Sequence, residues 1–381
     1  MSKMQELIKA YAEKRTQENY RMIVSEVQTA KVLWSAYSPV TKGHFIDYVQ
    51  GVACAFVFSE KKYCEDFCRH MLKSKMTVGV AECKKESRLA MLTDYHRSGI
   101  EGILVDNGQP HILVEMKDVI NAPDFSDLPV KDRPILNPSL VSSANRFFQC
   151  MENKTVTPDM ELNLLTDVYR AKYLVPAENE PKDGQITVPA LERNDGAKIV
   201  PFFTDIDELR KFEQSKQFQI VVGGFEQLET FCKAGETVVI NPFGFNFALT
   251  GKTCEAVHNA VKIVPQNDAE RAVIFTPEGV PEELLERICA LFEEYDEITA
   301  GYVRGLRKNG TSELMIVVRC GEDTEKAKTI TDELSAKAKE FTKTVPIFTS
   351  TAYQMGNLAA NGAIPFFERI FVDSSIPPEN F

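Results

Sequence analysis

An eleven-residue phrase occurs twice in this chain, as IVSEVQTAKVL over residues 23–33 and LLTDVYRAKYL over 164–174. Val27/Val168, Ala30/Ala171, Lys31/Lys172 and Leu33/Leu174 are identical, and Ile23/Leu164, Val24/Leu165, Ser25/Thr166 and Glu26/Asp167 are conservative. Two unrelated amphipathic helix ends can look this similar. A duplicated module must also repeat the order of features downstream, and such a repeat constrains the fold more than any composition does.

The order does repeat. KGHFIDYV (42–49) and DGQITVPAL (183–191) both read as short strands entered through a glycine turn. ACAFVFSEKKYCEDFCRHM (53–71) and AKIVPFFTDIDELRKFEQS (197–215) each read as an apolar strand, then Ser59 or Thr204, then an amphipathic helix. A hydroxyl before a helix suits an N-cap, since its oxygen can accept an orphan backbone N–H. Phe58/Phe203, Ser59/Thr204 and Phe67/Phe212 keep one offset. Each part then gives another helix, a glycine and a strand with hairpin chemistry at its tip, where Val105/Ile240 and Asp106/Asn241 correspond. This predicts two copies of one α+β domain, at 1–118 and 143–262, joined by the proline-rich stretch 119–142.

Residues 268–371 carry a different pattern. RAVIFTP reads as a strand, PEELLERICALFEEYDE as a helix and TAGYVRGLRKNGTSELMIVVRC as two strands around Asn309-Gly310. DTEKAKTITDELSAKAKEF is a second helix and VPIFTST a last strand. The order βαββαβ predicts a ferredoxin-like, split-βαβ sheet. The stretch AIPFFERIFV is too apolar to be left in water and is expected to pack back onto the body, leaving 372–381 as a tail.

The net charge of −11 argues against a broad nucleic-acid or anionic-membrane footprint. No apolar run approaches the ~18 residues that span a bilayer. The polar start MSKMQELIKAYAEKR and cysteines set inside apolar runs, as Cys289 and Cys320 are, point to a cytoplasmic protein with reduced core thiols.

At the stretches AKYLVPAEN, GQITVPALERNDGAKIVPFFTDIDELRKF and VVINPFGFNFAL, the chain resembles the N-terminal domain of the serine-sensitivity-enhancing (SseB) family, and RAVIFTPEGVPEELLERI through IPFFER resembles its C-terminal domain. The resemblance covers about 143–371. Residues 1–118 look like an additional, degraded copy that lacks the LVP, TVP and INP prolines. The family takes its name from a phenotype, so the resemblance implies no catalytic residues.

No GxSxG, HExxH, DxDxDG, GxGxxG or GxxxxGK[ST] motif is present. Cys64, Cys68 and His70 have metal-like spacing on a helix, but Leu209 and Glu213 stand at the aligned positions, which makes Cys64 a packing residue. Gly223-Gly224 reads as a tight turn. Catalytic residues, cofactors and metals are therefore assigned to none. The partner-binding candidates are Asn241, Phe243, Phe245 and Asn246 at an aromatic tip, and Arg304, Arg307 and Lys308 on a hairpin in an acidic domain. A strand there would turn Phe243, Phe245 and Phe247 to one side, and Pro242-Phe243-Gly244 at the turn leaves Phe243 exposed. The reading that follows is a non-enzymatic interaction or regulatory protein with an unidentified protein partner, also suited to self-association. The alternatives are an amino-acid sensor with a ligand between the second repeat and the C-terminal domain, and an enzyme of unassigned class.

Overall fold

A computed structural model describes residues 2–123, 125, 127–129, 132–178, 187–192, 196–212, 217–263, 272–308, 311–361 and 363–369. Two units form, Met1–Val156 with Met160–Lys262, and Thr157–Asp159 with Ile263–Phe381. The expected turn at Asn309-Gly310, the start of the 183–191 strand and the 372–381 tail lie outside the described residues.

The first unit opens with α1 (Lys3–Glu13), α2 (Gln17–Thr29), β1 (Val32–Ser38), β2 (Gly43–His44), β3 (Ile46–Val49), β4 (Val52–Phe58), α3 (Lys61–Lys73), β5 (Gly79–Lys84), α4 (Arg88–Arg97), β6 (Gly102–Val105), β7 (Ile112–Glu115) and α5 (Met116–Val119). It continues with α6 (Pro138–Asn153), α7 (Pro158–Arg170), β8 (Tyr173–Ala177), β9 (Leu191–Glu192), β10 (Lys198–Phe202), α8 (Ile206–Arg210), β11 (Gln219–Gly223), α9 (Phe225–Lys233), β12 (Val238–Ile240), β13 (Phe247–Leu249) and α10 (Gly251–Ile263). Pairings run in parallel between the two series. β1 and β5 are antiparallel, as are β8 and β11. β4 and β6 are parallel, as are β10 and β12. The hairpins β6–β7 and β12–β13 follow. α6 begins at Pro138, so the last five residues of the 119–142 stretch are helix; a proline is favourable at a first turn because its missing N–H would be unpaired there anyway.

One residue of the sequence alignment shifts. Trp34 pairs with Phe58 and Glu82, while Leu174 bridges Phe203 and pairs with Val222. Leu174 therefore stands where Trp34 does, not where Leu33 does. Side chains alternate faces along a strand, so one residue moves the side chain to the opposite core. Leu33 packs with α1 and α2, whereas Trp34 packs with Phe58 and Phe67, and Leu174 packs with Phe203 and Phe212.

The N-cap expectation is corrected as well. Glu60 and Asp205 occupy the caps of α3 and α8, and the Asp205 carboxylate accepts from the Asp207 and Glu208 amides. Ser59 and Thr204 sit one position earlier, where the hairpin tips engage them.

The second unit contains β14 (Ala272–Phe275), α11 (Glu282–Phe292), β15 (Ala300–Lys308), β16 (Thr311–Arg319), α12 (Thr324–Ala338), β17 (Ile347–Ser350), α13 (Gln354–Ala360) and β18 (Phe367–Glu368). The βαββαβ order and the α+β class hold, but the ferredoxin-like sheet does not. A split βαβ places a strand between the two that a helix joins. Here the sheet order is β14-β15-β16-β17, so each helix-joined pair lies side by side. β14 and β15 are antiparallel and β16 and β17 parallel. Element order alone does not decide strand order. α11 and α12 cover one face, with Phe292 and Leu334 fully buried, and α13 covers the other. The described part of the apolar segment, 363–369, packs back as expected: Phe367 pairs with Gly301 and sits 5.3 Å from Phe292.

Candidate functional site

The hairpin tips of the first unit carry matching polar clusters. Asp106 is fully buried with a φ of 59°, and Asn241 is nearly so with a φ of 48°. Asp and Asn tolerate this left-handed conformation better than other non-glycine residues. Asp106 Oδ1 accepts from the Ser59 amide at 2.6 Å, and Oδ2 accepts from Ser59 Oγ at 2.8 Å and Gln5 Nε2 at 2.5 Å. Asn241 Oδ1 accepts from the Thr204 amide at 3.0 Å, and Nδ2 donates to Thr204 Oγ1 at 2.8 Å. Burial lifts the Asp106 carboxyl above its usual range, against the pull of its hydrogen bonds. These groups lock the tip onto the preceding strand end and are structural.

That removes Asn241 from the exposed tip expected of it. Residues 241–246 form a turn, not a strand, closed by Gly244 and Asn246 amides donating to the Asn241 carbonyl. The three phenylalanines therefore diverge. Phe245 is buried and stacks on Phe148 at 6.2 Å, and Phe247 meets the same ring edge-on at 5.5 Å. Phe243 stacks against Phe212 at 6.4 Å and is 37% exposed; Asn246 is exposed at a φ of 55°. Only Phe243 and Asn246 of this set reach solvent.

In the second unit Arg304 is buried, its guanidinium donating to Asp159 at 2.5 Å and to Thr276 at 3.1 Å. A buried, paired guanidinium offers nothing to a partner, so the structure removes Arg304 from the cationic set. Arg307 and Lys308 are half-buried at the end of β15. Cys64 is fully buried against Phe67 and Phe58, and hydrogen bonding to Cys68 together with burial raises its thiol. Among the described residues, no three of His, Cys, Asp and Glu are placed to hold a metal, and no helix is long and apolar enough to cross a membrane.

Among the cavities of the first unit where the two series of elements meet are a polar cleft lined by two of the candidates, Asn241 and Phe245, and an apolar groove to which the sequence did not point. The groove has a volume of about 720 Å³. Leu89 and Thr93 of α4 form one wall, Ile120, Phe125 and Ile135 another, and Leu174, Val222 and Ile206 the third. Leu89 is 68% exposed, Val222 56% and Ile206 43%. Among the described residues, the ionisable side chains lining the groove are His96, Arg133 and Arg97, the last of which pairs with Asp205 and Asp207.

The polar cleft is smaller, about 200 Å³. His44 pairs with Asp94 at 2.6 Å, and Arg97 from α4 reaches Asp205 at 3.1 Å and also Asp207 at the start of α8. Burial would raise the Asp94 carboxyl, but the His44 hydrogen bond and nearby cations outweigh it and lower it. Glu208 is different. Lys211 holds one of its oxygens, while Oε2 is buried with no hydrogen-bond partner. Burial, aided by Asp205 and Asp94, raises its carboxyl despite Lys211.

A carboxyl raised in the folded state binds its proton more tightly there than in the unfolded chain. Its stability contribution is full below the unfolded Glu range and is lost as pH rises through the folded value. Glu208→Gln is therefore expected to melt higher than the parent at neutral pH, with the advantage shrinking as pH falls toward ~4. Thermal melts across that range read the difference directly; a parent that outlasts the variant at neutral pH would show that the Lys211 pair outweighs desolvation.

Residues 154–255 match the family model of the SseB protein N-terminal domain. No curated protein matches the chain. Among solved structures, Tic22 from Plasmodium falciparum is similar at 11% identity over 54% of this chain and 84% of that one, with a TM-score of 0.16. That score carries no structural argument.

Proposed function

We propose that this chain, an SseB-family protein through its domain at residues 154–255, is a non-enzymatic interaction protein whose first unit receives a segment of a protein partner in the apolar groove. The observation that carries the reading is the exposure of Leu89, Val222 and Ile206 around one concave surface. Large apolar side chains gathered on a rimmed surface mark interaction sites. With Arg97 committed to Asp205 and Asp207, His96 and Arg133 incline the described lining toward a short apolar segment flanked by Asp or Glu. The chain as a whole is acidic, so this lining is a local exception.

We propose further that residues 1–118 and 143–262 descend from one duplicated module, as the matched pairings and the Asp106/Asn241 tips support. The groove then exists only in the duplicated form, because its walls come from both copies and from the stretch between them. A cytoplasmic location belongs to the same proposal, supported by cysteines that are free thiols and mostly buried.

A peptide-display selection on the intact chain tests the binding reading. It is expected to enrich apolar peptides bearing acidic flanks, with binding weakened at least about tenfold by Val222→Asp, the size of effect a truncated interface anchor produces. Enriched peptides without acidic residues, or binding indifferent to Val222→Asp in a folded variant, count against it. Self-association would instead appear as concentration-dependent sedimentation abolished by the same substitution.

A further inference from the structure

The second unit holds a pocket with an unusual polar lining. Its volume is about 470 Å³, and it lies where β15 and β16 meet α13 and the residues after it. Arg319 lines it together with the side-chain amides of Gln354, Asn357 and Asn361. Among the described residues no carboxylate does, although this unit carries many. The Arg319 guanidinium lies over the Tyr302 ring at 5.4 Å from its centroid. Among the described residues it has no ion pair, and neither it nor the three amides has a side-chain hydrogen bond. Three other arginines of this unit, Arg287, Arg304 and Arg369, pair with acids.

Local structure accounts for the arrangement. Positions 354, 357 and 361 recur at three- and four-residue spacing, so a helical turn stacks them on one side. The opposite side of α13 is apolar and buried, with Ala359 and Ala360 packed on Tyr302, Met315 and Val317. The amides are thereby held facing away from the core. Tyr302 is itself buried, and the exposed Arg319 side chain lies over its ring. A planar guanidinium presents a two-pronged donor fork that matches a carboxylate. Amide groups both donate and accept, so they suit neighbouring hydroxyl or carbonyl groups on the same molecule.

We propose that this pocket binds a small organic acid, its carboxylate on Arg319 and its other polar groups on Gln354, Asn357 and Asn361. A phosphate shares the anionic chemistry, but its charge calls for more cationic partners than the one guanidinium here. The small apolar wall from Leu358 and Ala363 leaves room for a short carbon chain.

Ligand-detected NMR titration of the full chain tests the assignment, with malate, succinate, inorganic phosphate and glycerol as probes. Malate is expected to bind saturably, more tightly than succinate because its hydroxyl meets an amide, with phosphate and glycerol weaker than both. Arg319→Met, which keeps an apolar stem over Tyr302, is expected to weaken malate at least about tenfold, the scale of one charge-assisted hydrogen-bond pair. Asn357→Ala is expected to narrow the gap between malate and succinate, and Arg287→Met, which removes a paired exposed arginine, to change nothing. If Arg319→Met fails to fold, the Asn357→Ala comparison decides by itself. Absence of saturable malate binding at millimolar concentration, phosphate binding as tightly as malate, or malate affinity unchanged in a folded Arg319→Met protein would overturn the proposal.

Discussion

Asp106→Ala is expected to unfold the first unit at a markedly lower temperature, while Asp106→Asn is expected to stay near the parent. The alanine removes the shared acceptor of the Ser59 amide, the Ser59 hydroxyl and the Gln5 side chain; the hydroxyl keeps Ser2 Oγ and Gln5 keeps the Pro110 carbonyl, while the amide is left unpaired. A buried group so orphaned costs about 1–3 kcal/mol. Alanine also carries a Cβ into the left-handed conformation without the local hydrogen bonding that lets Asp and Asn sit there. A combined loss of about 3 kcal/mol or more shifts melting by on the order of 10 °C in a unit of this size. Asparagine is the residue the second tip uses, where it accepts from the Thr204 amide and donates to its hydroxyl. At position 106 it would reproduce both contacts, give up the one from Gln5 and remove a desolvated charge. Trp34 is the only tryptophan in the chain and packs in the first unit's core, so its fluorescence follows this transition alone. Equal losses in the two variants would mean that the carboxylate, not the hydrogen-bond geometry, is what the tip requires.

The second large effect is expected at Arg88. Its guanidinium is buried, 2% of the residue being exposed, and donates to the carbonyls of Val27 at 2.5 Å, Cys83 at 2.9 Å and Ala30 at 3.4 Å. Val27 and Ala30 lie at the C-terminal end of α2, where carbonyls lack intrahelical partners and carry partial negative charge. Arg88→Met keeps much of the volume but leaves these acceptors unpaired, a loss of about 3 kcal/mol or more. Arg88→Lys is expected to recover only part of it, because an ammonium on a flexible stem cannot span three carbonyls as a planar fork does. Urea unfolding followed at Trp34 gives both losses; a lysine variant as stable as the parent would show that charge alone suffices.

Much of this architecture was legible in the sequence because it rests on local chemistry. The hairpin tips, the amphipathic helices and the order of elements follow from turn residues and apolar spacing. The matched pairs Ser59/Thr204 and Asp106/Asn241 were visible as well, but not their use. A hydroxyl before a helix reads as an N-cap until a residue nearly fifty positions later claims it. The sheet order of the second unit was hidden for a similar reason, since the βαββαβ order is compatible with more than one strand arrangement. The aromatic alternation at 243–247 misled because a left-handed Asn241 starts a turn that breaks the period of two. Arg304 looked solvated beside Arg307 and Lys308, and only the fold brings Asp159 to it. The groove was least legible, because Leu89, Ile206 and Val222 come from separate elements and are ordinary apolar residues in each. Their exposure is the signal, and exposure is a property of the assembled unit.

The groove is the centre of the functional account, and hydrogen exchange of the intact chain with and without a selected acidic-apolar peptide tests it most directly. Protection is predicted over residues 86–97, 120–136 and 217–223, and is expected to disappear in Val222→Asp. Protection at the 241–246 tip or in the second unit, with those three segments unchanged, would contradict it.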